Sequence, residues 1–378
     1  MNTPNAESSG KPLSRLLLFF GLAYFCQHFG QAGLINQPLT YYFKEVLHYG
    51  ADQIAAFFAI MTMPWVIKPL YGLISDSLPL GGYRRKSYLL LLNLAAALGF
   101  MSICGFGDTA TIRMALLLTS FCTAFSDVAI DGLMVEFGKK TGKTAQFQSM
   151  QWVWFNGAMI LSSLAGGLFT QFLPAESAFK VAAAVTAAFP LAVVVATWFL
   201  VKEEKSKIEL GFIKESSLAF AAAIRARSPR QFARVSFDLL GKGWTGFKGI
   251  LKLKTLWIVA GFIAFWQFSP SFGTPFYVHM TDNLKFSQGF IGTLNAISSV
   301  AAVIGALVFN RYLAERYSTK TLLYWSAVLG VIGTLAYILM IDPATTGNAV
   351  TAILLNGIFG ITAQISILTI LNLAAQSC

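Results

Sequence analysis

The stretch KPLYGLISDSLPLGGYRRKSYL, Lys68–Leu89, holds the end of one apolar run, a turn and the start of the next. Gly72, Asp76, Gly81, Gly82 and the basic run Arg84, Arg85 and Lys86 follow in that order. Glycine permits close helix packing and sharp turns. Asp76, at the end of its apolar run, is placed to pair with Arg84 and Arg85 and latch a gate. The plainer reading is a basic loop on the inner side of a membrane. The Gly–Asp–Gly–Arg order favours the gate.

Outward from this loop the chain stays apolar. It is 56% hydrophobic and 12% charged, with a mean hydropathy of +0.62, far above a soluble domain. The fold class is an all-α polytopic membrane protein. Measured against the 20 or so apolar residues that a crossing needs, ten spans are predicted: 15–42, 52–75, 88–106, 110–136, 146–172, 178–201, 255–280, 287–309, 320–341 and 348–375. The apolar run after Lys11 and Arg15 mimics a signal peptide but continues past a signal core without a cleavage site, so it is the first span. The net charge of +11 does not point to nucleic acid, because Lys and Arg collect in alternate loops between spans. That alternation predicts a cytoplasmic N-terminus in the cell (inner) membrane. Cys26, Cys104, Cys122 and Cys378 have no metal-site spacing, and no metal or other cofactor is implied.

The organisation is a cytoplasmic segment 1–14, a six-helix bundle 15–201, a hydrophilic linker 202–254 and a second bundle 255–378. In the linker, Phe220, Ile224, Phe232 and Leu239 interleave with Arg225, Arg227, Arg230 and Arg234. This suits a basic helix on the anionic inner leaflet, or equally a solvated tether. GLAYFCQ (Gly21–Gln27) in span 1 and GFIAFWQ (Gly261–Gln267) in span 7 share a G-x-x-x-F-x-Q pattern. Two halves in parallel repeat, joined by a cytoplasmic linker, describe a major facilitator-type fold of two pseudo-symmetric bundles. Its second half holds four spans, so ten helices are present of an expected twelve.

KPLYGLISDSLPLGGYRRKSYL, together with SDVAIDGLMVE (Ser126–Glu136), resembles the folate–biopterin transporter family within that superfamily. The similarity runs through all ten spans to ILNLAAQSC (370–378). It implies a secondary transporter, not an enzyme, importing a pteridine or folate, driven by protons, working as a symporter and expected as a monomer. It also implies two further helices beyond Cys378.

SDVAIDGLMVE carries the acids. A carboxylate at a bilayer centre costs roughly 3 kcal/mol or more. Asp127 and Asp131 are spaced i, i+4 and share one helix face. Counted from Lys139, Asp131 lies about 12 Å deep, and Lys68, eight residues before Asp76, reaches a similar depth. A Lys68–Asp131 or Lys68–Asp127 pair would neutralise two charges and leave one acid to titrate. A structural network is the alternative. For a pterin, a carboxylate can accept the 2-amino group and the adjacent ring N–H together. Lys68 could instead meet a substrate carboxylate, and Trp266 could stack on the ring. Polar residues on span 1 (Gln27, His28, Gln31), Gln267 on span 7 and Gln364 on span 10 complete the expected lining. The two span 1 and span 7 amides serve equally well as interhelical glue, and His28 as a packed residue.

Other readings remain at this point. One is transport of another amphipathic solute, such as a muropeptide or drug. Another is a membrane enzyme that uses the Asp127/Asp131 pair with a metal. GKKTGKT (138–144) imitates a phosphate-binding loop, but the glycine spacing is short and no strand precedes it.

Overall fold

The computed structural model describes residues 10–77, 79–105, 108–142, 144–203, 257–258, 261, 273–313, 316–341 and 348–377. Among them the named elements are all helices. Span 1 is built of α1 (Gly10–His28), a π-helical turn (Phe29–Leu34) and α2 (Asn36–Glu45). Span 2 is α3 (Ala51–Val66) followed by α4 (Lys68–Ser77). Spans 3 to 6 are α5 (Lys86–Gly105), α6 (Thr109–Thr141), α7 (Thr144–Phe172) and α8 (Ala175–Leu200). Span 7 is described mainly through α9 (Gly273–Asp282). Spans 8 to 10 are α10 (Gln288–Val308), α11 (Thr319–Ala336) and α12 (Ala349–Ser377).

Among the described residues, eight stretches are long and apolar enough to cross a membrane, and they coincide with predicted spans 2 to 6 and 8 to 10. Span 1 falls outside that set; it carries Arg15, Gln27, His28 and Gln31 among its apolar residues. Trp266, Gln267 and the linker beyond Glu203 lie outside the described residues.

Local chemistry fixes the helix ends. The Asp108 carboxylate accepts the Thr111 N–H at 2.8 Å and starts α6. Ser287 and Ser318 do the same for α10 and α11. Gly142, at φ +67°, ends α6. The Leu80–Arg85 turn reverses through Gly81 (φ +61°) and Gly82 (φ +87°), a left-handed pair that side chains resist. The turn prepares a reciprocal cap. The Glu203 carboxylate, just past span 6, accepts the backbone N–H groups of Arg84, Arg85 and Lys86 at the open start of α5. Lys86 Nζ in turn donates to the carbonyls of Trp198 (3.2 Å) and Val201 (2.8 Å) at the close of α8.

Hydrophobic clusters fill both ends of the first half. Phe19, Phe20, Leu89, Ile130, Leu133 and Phe147 fill the end near the basic loops. Leu39, Phe43, Ile54, Phe100, Leu116 and Phe179 fill the opposite end. Between halves, α7 crosses α10, and Gly167 meets Gly292 at backbone distance. A Cβ added at Gly292 would sit 2.7 Å from the Gly167 Cα. Only small residues allow helices so near. Leu98, Leu118, Val195 and Val331 stay exposed, as expected where hydrocarbon replaces water.

Candidate functional site

Spans 1 and 2 are both interrupted close to one place. In span 2, Pro69 has no N–H to return to the Trp65 carbonyl, and Ile67 leaves helical geometry at φ −89°, ψ 13°. Lys68 therefore opens a new helix. In span 1 the π-helical turn begins directly after His28. Broken helices at such depth are tolerated where polar groups or a cavity take up the freed backbone.

Asp127 on α6 faces this gap. One carboxylate oxygen meets Lys68 Nζ in an ion pair, and the other accepts the Gln27 Nε2 donor at 2.8 Å. Lys68 Nζ also stands 4.4 Å from the centre of the Trp65 ring, a cation–π contact. The Asp127 side chain is 7% exposed and that of Lys68 32%. Because Gln27 must turn its amide nitrogen to the carboxylate, its Oε1 points elsewhere. That oxygen is buried and has no partner among the described residues.

Asp131, one turn along, has a different environment. It accepts a hydrogen bond from the Tyr24 hydroxyl, itself fully buried. It takes part in no ion pair among the described residues. The lysine thus pairs with the deeper acid and leaves its neighbour without a cation.

The remaining predicted residues distribute as follows. Arg85 donates to Asp76 at 2.5 Å and to Ser75. Its guanidinium lies against Gly132, where a Cβ would come within 2.7 Å of it. Arg84 contributes its backbone N–H to Glu203, and its Nε is buried without a partner. Asp76, Ser75, Arg85 and Gly132 all belong to the first half. Glu136 pairs with Lys140 on the helix surface. His28 packs edge-on against Phe155, 4.3 Å between ring centres. It also lines a cavity of about 320 Å³ together with Asn36, Phe58, Thr62, Trp65 and Ser120. Gln31 falls in the π-helical turn, and its side chain is outside the described residues. Gln364 is buried on α12, with its Nε2 unpartnered among the described residues.

Nothing in the linear sequence marks a second polar layer, at the end opposite the basic loops. Gln37 on α2 donates to the Gln288 carbonyl at 2.8 Å and lies 3.2 Å from Thr170 Oγ1. Tyr277 donates to Gln288 Oε1 at 2.8 Å, and Gln171 accepts the Gly289 N–H at 3.0 Å. Outside them, Lys44 and Asp282 form an ion pair at 2.6 Å. Partial burial disfavours the charge on Asp282, but hydrogen bonds from Lys44 and Thr281 outweigh it and hold the acid below its usual range. The ion pair's contribution is therefore present throughout the neutral and mildly acidic range. It is lost only as pH falls through that depressed value. These contacts join the two halves beside the Gly167–Gly292 crossing.

Comparison with known proteins agrees with this architecture. The chain is 28% identical to the folate-biopterin transporter of Synechocystis over 94% of its own length and 67% of the relative's. It is 24% identical to probable folate-biopterin transporter 6 of Arabidopsis thaliana, covering 80% of this chain and 57% of that one. For folate transporter 2 of Plasmodium falciparum the identity is 24%, over 79% and 59%. The chain thus spans roughly three-fifths to two-thirds of the length of these relatives. Among solved structures, it superposes on a bacterial homologue of the human drug peptide transporters PepT1 and PepT2 with a TM-score of 0.66 at 16% identity, covering 96% of this chain and 84% of that one. On the nucleoside transporter NupG the TM-score is 0.59 at 17% identity, over 94% and 80%. The fold is of the major facilitator type. The BT1 family model matches residues 30–378, nearly the whole chain, and the protein is a multi-pass membrane protein belonging to the BT1 family.

Proposed function

We propose that this protein carries a pteridine- or folate-type solute into the cell by alternating access, with protons as the coupled ion. The observation that carries the reading is the unequal treatment of the two acids. Asp127 is compensated by Lys68, whereas Asp131 has a hydroxyl and no cation as its partner among the described residues. A carboxylate without a cation is the one free to take up and release a proton during a cycle. A paired carboxylate is suited to exchange one partner for another.

A pterin ring offers its 2-amino group and adjacent N–H to Asp127, displacing Lys68. The orphaned Gln27 Oε1 supplies a further acceptor. Trp65 presents an indole face at the rim of the 320 Å³ cavity, room enough for a fused bicyclic ring. Lys68, released, meets the carboxylates of a folate tail. The relatives' names, folate-biopterin and folate transporters, support this solute class. In this reading the Lys44–Asp282 ion pair belongs to the closed end, and exchange occurs from the end carrying the basic loops, taken as cytoplasmic on the positive-inside bias. The working unit is then a monomer.

Uptake into liposomes under an imposed proton gradient tests the proposal. Labelled folate or biopterin should accumulate above its external concentration, and collapse of the gradient should release it. Accumulation of a muropeptide or drug with no uptake of either pteridine would overturn the solute assignment. Metal-dependent turnover without accumulation would overturn transport itself.

A further inference from the structure

A second cavity, of about 340 Å³, lies between α3 and α6 at the end opposite the basic loops, away from the acids. Its walls are apolar and turned outward: Ile60 is 57% and Met114 66% exposed. Ala56, one turn above Ile60, leaves the gap that forms the groove. From Gln53 to Ile60 it runs about 10 Å along the helix.

The mouth is chemically one-sided. Arg113 stands there over the Tyr49 ring, 5.5 Å from its centre, and donates to the Tyr49 hydroxyl. That hydroxyl keeps its own proton to give. Gln53 uses Oε1 to accept the Gly50 N–H at 3.1 Å and retains its amide donors. Lys44 and Lys180, at the same end, are satisfied by Asp282 and Glu176, whereas Arg113 enters no ion pair among the described residues. His48, at φ +54°, turns the chain so that Tyr49 reaches Arg113. Three donors and, among the residues lining the groove, no carboxylate call for an anion, and guanidinium suits phosphate oxygens.

We infer that this groove binds one glycerophospholipid of the adjoining leaflet, its phosphodiester on Arg113, Tyr49 and Gln53 and an acyl chain along Ala56, Ile60 and Met114. Charge complementarity at the mouth and an outward apolar floor fit this occupant, where a protein partner would need a wider surface. The site stands independently of the transport reading.

The test is titration of delipidated protein with dioleoyl phosphatidylglycerol, read by native mass spectrometry. One saturable site is expected, with affinity reduced at least tenfold in Arg113→Ala and in Ala56→Phe. Lys180→Ala, a charge removed from the same end, should bind as the parent does. Dioleoylglycerol, which has chains without phosphate, and glycerophosphoglycerol, which has phosphate without chains, should each bind at least tenfold more weakly. Circular dichroism and monodispersity of both variants establish that they fold. Equal retention of the lipid by Arg113→Ala would overturn the inference. So would equal binding of dioleoylglycerol, competition by glycerophosphoglycerol alone, or no saturable site in the parent protein.

Discussion

Asp131→Asn should reduce proton-driven accumulation of folate or biopterin to the leak of empty liposomes, while exchange of preloaded against external solute continues. The substitution keeps the shape of the side chain and an oxygen for the Tyr24 hydroxyl. It leaves the Lys68–Asp127–Gln27 cluster untouched. What it removes is the only acid of the pair that can exchange a proton without breaking an ion pair. Counterflow needs solute binding and the conformational cycle but no net proton movement, so it separates the coupling role from a folding defect. A variant that still concentrates solute at the parent rate would remove Asp131 from the coupling mechanism.

The second large effect concerns the ion pair itself. Lys68→Met leaves the Asp127 carboxylate buried with Gln27 as its remaining partner. Removing one member of a fully buried pair costs about 3–5 kcal/mol; with Lys68 32% exposed the cost is smaller, but it should still appear as a drop in thermal stability in detergent. Removing both charges in Lys68→Met/Asp127→Asn eliminates the stranded carboxylate, so most of that stability should return. Uptake should not return, because neither the pterin-reading carboxylate nor the cation is left. Stability and transport thus move apart in the double variant. Wild-type uptake by the double variant would reduce the pair to a brace between α4 and α6.

The match in depth between Lys68 and the acids was legible in the sequence for a physical reason. Both counts ran along unbroken helix, from Asp76 back through α4 and from Lys139 back through α6. The break at Ile67 lies just beyond the counted residues. Counting residues gives height, but each residue turns a helix by about 100°, so choosing between Asp127 and Asp131 needed the actual packing of α4 against α6. Span 1 was harder. The π-helical turn after His28 resets the phase, so its polar residues do not share one stripe. Gln27 reaches Asp127, whereas Gln37, past the break, reaches the other half.

The pairings made by Gln37, Lys44 and Glu203 had no signal in a single chain. Each joins residues more than a hundred positions apart, and amides or lone charges near span ends read as ordinary interfacial polarity. Their place after the Gly81–Gly82 turn marks Arg84 and Arg85 equally in the sequence. Alternate residues entering α5 point differently, and only Arg85 is directed back to Asp76. Trp65 beside Lys68 was likewise hidden in an apolar run, where an indole is first read as packing.

The central claim is that the α6 acids border a solvent-reachable route from the end with the basic loops. Its most direct measurement places Asp131→Cys in a background lacking Cys26, Cys104, Cys122 and Cys378. A membrane-impermeant thiol reagent is then applied to each face in turn. Modification from the face with the basic loops, slowed by folate or biopterin, is the predicted result. A thiol inert from both faces, or modified at a rate that neither solute changes, would contradict the account.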